Sequence, residues 1–299
     1  MRSAVSPGAT LVAAELEDTC LLPTGLIDPQ ERSLMGQKLQ QPPATDRQCG
    51  NRLLNALPSE EYDRISSSLK LVTFSLGEII DHPDQQIRHV YFPTTALISL
   101  ATTMRDGTMI EAGLIGDEGI VGFPVILDAE NTIYMSLVQH AGAALSLPTD
   151  ILRRECRRGG HLQSLVLHYM HMFFTQVAQT AACNQAHTLP ERLARWLLLR
   201  HDRNKTDELL FTHEFMSRML DVRRAGVTIA ANELKQAGLI QCGRGRIRVL
   251  DRNGLARASC ECYRAVKAEY ERYLGVLASD PIKNLFLTSS TSPLLDTAA

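Results

Sequence analysis

Between Arg105 and Arg153 the chain has no lysine and no arginine. An anion buried in that stretch would have to be held by backbone amides alone, which is weaker than charge-assisted bonding. Long apolar runs are also missing. None reaches the roughly 18 residues that cross a bilayer, so no membrane partner is expected. The opening, MRSAVSPGATLVAAELEDTC, has one early Arg and a short apolar run broken by acids, which does not read as a secretory signal. The seven cysteines are odd in number and scattered, which points to a reduced, cytoplasmic setting rather than a disulfide framework. The chain lacks a P-loop, a dinucleotide-binding glycine pattern after a strand, an HExxH and a nucleophile elbow. Glu78, Glu111, Asp117 and Glu118 are acids in the central region, but nothing in the sequence pairs them as acid and base. The chain is therefore not expected to be an enzyme, and no cofactor is expected.

What is present suits a soluble protein with real cores: 299 residues, 44% hydrophobic and 21% charged. The net charge of −2 is uneven. Glu191 to Arg252 holds 13 Lys and Arg against 8 Asp and Glu, a balance of +5 that leaves −7 on the remainder. A basic segment on an acidic chain is the footprint of an anionic partner met on one face.

The texture changes along the chain. Residues 1–47 contain several Pro and Gln without a sustained period and read as a mobile arm, with a short helix near Pro29–Gln40. Asn51–Leu69 has helical spacing. Lys70–Pro148 consists of short runs (VTFSL, HVYFP, ALISLATTM, MIEAGLIG, GIVGFPVIL, IYMSLVQHA, AALSLP) divided by turn residues, which indicates an antiparallel barrel or sandwich, with Asp106-Gly107 as a hairpin turn. Thr149–His187 reads as a long helix. Leu162, Leu165, Val166, Tyr169, Met172, Phe173, Val177 and Ala181 give it an apolar stripe that either pairs with a second copy of the chain, the favoured reading, or packs on its own barrel. Pro190 opens a further helix whose Leu193, Trp196, Leu197 and Leu199 are core positions. Asn253 to about Leu277 is helical, and Ile282–Ala299 is a Ser/Thr-rich tail.

The most informative segment is Thr212–Leu250. Thr212 can cap a short helix whose first turn holds Glu214 and whose apolar face is Phe215, Met216, Met219 and Leu220. Asp221-Val222 is a tight link. Arg223 and Arg224 then open a second helix with Val227, Ala230, Ala231 and Leu234 inward, and Arg224, Ala225, Thr228, Ile229 and Asn232 outward. Gly226 within it costs about 1 kcal/mol relative to Ala, which close approach to the preceding helix or to a phosphate would offset. Gly243-Arg244-Gly245 turns the chain, and Arg244, Arg246 and Arg248 alternate with Ile247 and Val249 on a strand with one basic face. Two short helices and a hairpin form a winged helix-turn-helix, which lays its second helix in a DNA major groove. Arg223, Arg224, Thr228 and Asn232 are the candidate helix contacts, with Arg224 facing a base. Arg244 and Arg246 are the candidate backbone contacts of the wing, and Arg218 is a further one. The alternative is a helical hairpin with a solvated basic face.

The order of these elements resembles the Crp/Fnr family of transcription regulators over about residues 50–270. The resemblance is carried by ACNQAHTLPERLARWLLLRHDR (182–203), FTHEFMSRMLDVRRAGVTIAANELKQAGLI (211–240) and RGRIRVLDRNGLARASCECY (244–263). It implies an α+β fold: a mobile arm at 1–47, a cyclic-nucleotide-binding-like antiparallel β-roll sensor at 48–150, a connecting dimerisation helix at 151–188, a winged helix-turn-helix domain at 189–262, and a C-terminal helix and tail at 263–299. It implies a homodimer on palindromic double-stranded DNA, with RNA polymerase as a further partner and an unidentified small-molecule effector. Two departures stand out. Where many members read bases with an Arg-Glu pair and a second Arg, this chain has Arg224, Ala225 and Ile229, so its operator should differ. Where cyclic-nucleotide binders carry a Gly-Glu pair and an Arg, this chain has GIVGFPVIL without an acid or base, so cyclic AMP is not expected to bind in the family manner. The Gly119–Gly122 turn is left as a candidate for another ligand, or as a purely structural turn. The rival reading is a ligand-gated receptor whose output is protein contact.

Other constellations carry less. Cys20 and Cys49 are too far apart for the closely spaced thiolates of an iron–sulfur cluster. Cys260 and Cys262 lie close, but no further ligand follows at zinc spacing, so free helical thiols are expected and no metal is assigned, with a redox role as the alternative. His161, His168 and His171 read as surface or interface histidines rather than haem or metal ligands. Cys183 and His187, one turn apart, read as structural between the two domains.

Overall fold

Pro58 divides the first helical stretch. Asn51–Leu69 is two helices, α1 (Arg52–Asn55) and α2 (Ser59–Ser66), with Pro58 capping the second at φ −55° and offering no N–H of its own. The computed structural model describes residues 49–204 and 206–278. The expectations for the arm at 1–47, for Cys20 and for the Ser/Thr-rich tail lie outside the described residues.

Seven strands follow: β1 (Lys70–Phe74), β2 (Ile79–Asp81), β3 (His89–Pro93), β4 (Leu97–Thr103), β5 (Met109–Ile115), β6 (Met135–His140) and β7 (Gly142–Pro148). They form two antiparallel sheets in the orders β1-β7-β3 and β2-β6-β4-β5. The period of two places Val90 and Phe92 inside, and the hairpin at Asp106-Gly107 joins β4 to β5 with Gly107 at φ +82°. GIVGFPVIL departs from the expected strand. Gly122 turns at φ +83° into a 3-10 helix over Phe123–Leu127, and only Val121 bridges to Tyr91, since Pro124 cannot donate to a ladder.

The expected single helix over Thr149–His187 is also two, α3 (Thr149–Arg157) and α4 (His161–Ala186). Gly159 and Gly160, both at positive φ, break it. The start of α4 is capped from a distance: the Glu61 carboxylate accepts the backbone N–H groups of His161 and Leu162, each at 2.9 Å. A Cβ on Gly160 would lie 2.7 Å from that carboxylate. Burial opposes the Glu61 charge, but these two N–H groups and the His161 ring outweigh it and hold the carboxyl below its ordinary value of 4.5. A depressed folded value contributes stability that is complete above pH 4.5 and lost as pH falls through the folded value. Urea midpoints measured from pH 6 down to about pH 3 should therefore fall more steeply for the parent than for Glu61→Gln. Parallel curves would remove Glu61 as a titrating cap.

Most of the apolar stripe of α4 packs on the chain's own roll, the less favoured of the two readings, while Val177 is only partly buried and Ala181 is exposed. Leu162, Leu165, Val166, Tyr169, Met172 and Phe173 are all buried in the chain's own β-roll core with Phe92, Ile98, Ile115 and Leu147. They are not available to a second copy. Glycines let the helix seat this closely: a Cβ on Gly119 would lie 2.4 Å from the Tyr169 ring, and one on Gly113 2.7 Å from Phe173. Among the described residues no helix is long and apolar enough to cross a membrane.

The C-terminal part comprises α5 (Leu189–His201), β8 (Glu208–Leu209), α6 (His213–Met219), α7 (Arg224–Gln236), β9 (Ile240–Gly243), β10 (Arg246–Val249), α8 (Arg252–Ala258) and α9 (Glu261–Leu277). Its core, with Leu193, Trp196, Leu197 and Leu198, is continuous with Ala101, Met109, Met135 and Leu137 of the roll. Two acids left unassigned by the sequence are paired here. Glu111 of β5 receives Arg200 of α5, a fully buried guanidinium that also bonds Gln139 and lies 3.2 Å over the Trp196 ring. Glu118 receives Arg203 at 2.8 Å. α9 returns to the roll, where the Tyr273 hydroxyl donates to the Glu118 carbonyl at 3.0 Å.

Candidate nucleic-acid interface

The Thr212 hydroxyl caps α6 by accepting the Phe215 N–H at 3.0 Å. The link to α7 turns at Asp221, which adopts φ +51°. Arg223 is the N-cap of α7, whose first turn has no acid, whereas α2, α3, α5, α6 and α9 each carry one or more there. Cations at the positive end of a helix dipole are unfavourable unless an anion meets them. Val227, Ala230, Ala231 and Leu234 are buried, as the spacing predicted. The Cβ that Gly226 lacks would sit 3.1 Å from Leu189, so the close approach is to the start of α5 and not to the preceding helix.

The outward face separates into free and engaged groups. Arg223, Arg224 and Asn232 are exposed, and neither arginine has an ion pair among the described residues. Ile229 is bare at 62% exposure. Thr228 is committed within the domain: its hydroxyl donates to the Arg224 carbonyl at 3.1 Å and lies 3.0 Å from the His213 ring. Burial and the Arg224 charge push His213 below its ordinary value, which favours the neutral ring.

The wing is the antiparallel sheet β8-β10-β9, turned at Arg244-Gly245 with Gly245 at φ +71°. Ile247 and Val249 point into the core and Arg246 and Arg248 outward. Arg244 and Arg248 are exposed without an ion pair among the described residues, whereas Arg246 meets Glu208 at 3.2 Å and Arg218 meets Glu214 at 3.5 Å. Arg248, visible in the strand alternation, is thus a freer cation than Arg246. The geometry offers a helix end and a wing whose exposed guanidinium groups have no ion pair among the described residues.

Residues 191–258 match the model of the Crp-like helix-turn-helix domain. The segment is a Crp-like helix-turn-helix domain. With the antiparallel roll before it, the chain has the fold of the Crp/Fnr regulators. A protein described as a transcriptional regulator of the Crp/Fnr family from Eubacterium rectale is similar at TM-score 0.57 and 19% identity, over 69% of this chain and 96% of that one. FixK2 from Bradyrhizobium japonicum gives 0.57 and 13%, over 64% and 98%. A CRP-family regulator from Thermus thermophilus gives 0.52 and 19%, over 63% and 96%. No curated protein matches the sequence.

The remaining sequence candidates fall elsewhere. Gly119 and Gly122 are buried, the first against Tyr169 and the second against Ile87 and Val90, so side chains fill the space beside the turn. His161, His168 and His171 are engaged separately, with Glu61, the Ser164 carbonyl and Glu269. One expectation is corrected. Cys260 and Cys262 do have potential ligands beside them, Cys183 and His187 from the end of α4. Spacing near residue 260 could not reveal partners that arrive from more than seventy residues away.

Proposed function

We propose that this chain is a sequence-specific DNA-binding transcription regulator. The observation that carries the reading is the set of exposed arginines without an ion pair among the described residues, Arg223 and Arg224 at the start of α7 and Arg244 and Arg248 on the wing. Arg224 reads a base edge, Ile229 and Ala225 offer apolar contact to thymine methyl groups, and Arg223, Asn232, Arg244 and Arg248 hold phosphates. Arg246 and Arg218 are reserves that must first leave Glu208 and Glu214.

The protein acts as a homodimer on a palindrome. The outer face of α4 supports this: Leu167 and Phe174, seven residues apart, are exposed on the side away from the roll. The β-roll serves as sensor or relay and does not take cyclic AMP in the family manner. No cation lies between Arg105 and Arg153, and Tyr169, Phe123 and Phe173 pack together at the Gly119 turn.

Selection of bound sequences from a random duplex pool, followed by the salt dependence of the winning site, tests the reading. The expected result is a palindrome with half-sites about one helical turn apart and an affinity that falls linearly with log salt. Equal binding to every duplex, with and without small-molecule effectors, would overturn it. Arg244→Ala should weaken selected and random duplexes by the same factor and reduce the salt slope by about 1. A loss confined to the selected site would instead make Arg244 a base reader.

A further inference from the structure

We propose that Cys183, His187, Cys260 and Cys262 form a tetrahedral binding site for a single Zn²⁺ ion, which staples the two ends of the Crp-like domain together. The donor atoms of the four side chains all lie within 4.8 Å of one another. The Cys183 and Cys260 sulfurs are 3.5 Å apart, and the Cys262 sulfur is 3.5 Å from His187 Nδ1. A Zn²⁺ ion at about 2.3 Å from sulfur and about 2.0–2.1 Å from nitrogen separates its ligand atoms by roughly 3.6–3.8 Å. These two contacts need only slight widening to admit one ion, and separations toward the 4.8 Å limit of the set need to close by about 1 Å. They leave no room for the several metal and sulfide atoms of an iron–sulfur cluster.

The surroundings are arranged as a metal site requires. Cys183, Cys260 and Cys262 are buried and form a cluster of their own, apart from the two large apolar cores. Buried thiols alone behave as small apolar fillers. That account does not explain an imidazole that turns Nδ1 inward among them. His187 Nε2 lies 3.2 Å from Glu261, so its outer N–H can donate to a carboxylate while Nδ1 keeps its lone pair for the ion. Gln179 Nε2 donates to the Cys262 sulfur at 3.2 Å, a bond that favours the thiolate. Three thiolates and one Zn²⁺ carry a net charge of −1, and the buried Arg195 guanidinium acts on Cys183 to offset it.

The position in the fold gives the ion a purpose. Cys183 and His187 end α4, and Cys260 and Cys262 begin α9. The domain matched at 191–258 lies between the two ligand pairs. One ion would fasten its first and last residues to the same point at the break between α4 and α5. The seating of the Crp-like domain at the α4–α5 junction then becomes metal-dependent.

Metal analysis of the full chain, purified with reductant and without chelator, should find one zinc per chain. Cys183→Ser and Cys262→Ser should lose it, whereas Cys156→Ser should retain it. Glu261→Gln should retain the ion with an affinity lower by about 10–100-fold. Because a cysteine variant can fail to fold, the parent chain loaded with Co²⁺ gives a second reading. Thiolate-to-cobalt charge-transfer bands with tetrahedral ligand-field bands are expected, and His187→Ala should shift the latter. A parent chain that stays metal-free after exposure to Zn²⁺ and Co²⁺ under reducing conditions would overturn the proposal. So would a Cys183–Cys260 disulfide recovered in place of the metal. None of these readings depends on DNA binding.

Discussion

Glu111→Ala should destabilise the folded chain by about 3–5 kcal/mol, because it leaves the Arg200 charge buried without its carboxylate. Arg200 sits under the roll with no exposed surface, bonded to Gln139 and the Trp196 carbonyl and stacked on the Trp196 ring. Burial already lowers its guanidinium to about 10, with the Glu111 charge opposing the shift. Gln139 also donates to Glu111 at 2.6 Å, so the carboxylate is a shared acceptor; its loss takes a partner from two donors and leaves the Arg200 guanidinium with only the neutral Gln139 and Trp196 oxygens. Guanidinium midpoints with unchanged slopes would give the loss directly. Combining Glu111→Gln with Arg200→Met removes both charges, keeps an amide partner for Gln139 and leaves an apolar side chain over Trp196. That double variant should recover most of the stability. A Glu111→Ala protein as stable as the parent would mean that the pair adds nothing to the seating of α5 on the roll.

Arg224→Ala should lower affinity for the selected operator by about 1–3 kcal/mol, roughly 5- to 150-fold, and relax preference at one base pair. The side chain is exposed at the first turn of α7 with no carboxylate paired to it among the described residues, so no ion pair there is broken to reach DNA. Its carbonyl is held by Thr228 and its helix is anchored by Val227, Ala230 and Leu234, so truncation at Cβ leaves the backbone in place. Competition binding against base-substituted operators measures the effect. An equal loss on selected and random duplexes would make Arg224 a phosphate contact instead of a reader.

Much of this protein was legible in the order of its residues. Val227, Ala230, Ala231 and Leu234 recur at helical spacing and are buried, because a helix packed on one side must bury one stripe. Thr212 caps and Asp106-Gly107 turns for reasons that act within three residues. Breaks were less legible. The helix expected over Thr149–His187 stops at Gly159-Gly160, where positive φ values and the Glu61 carboxylate, nearly a hundred residues earlier, set the new start. The strand expected at GIVGFPVIL became a 3-10 turn because Gly122 and Pro124 leave the ladder.

The sequence by itself determined the local elements, their order, the basic segment with its arginine-tipped wing, and the absence of a cation from residues 106–152. These follow from interactions between near neighbours along the chain, where periodicity and turn chemistry act directly. Only the tertiary structure decided which partner each shared group takes. It placed most of the α4 stripe, Leu162 to Phe173, in the chain's own core, gave Glu111 and Glu118 to Arg200 and Arg203, and brought Cys183 and His187 to Cys260 and Cys262. Those pairings join residues dozens of positions apart. An apolar stripe or a lone acid looks the same in sequence whatever surface eventually covers it, so only packing can choose among the surfaces on offer.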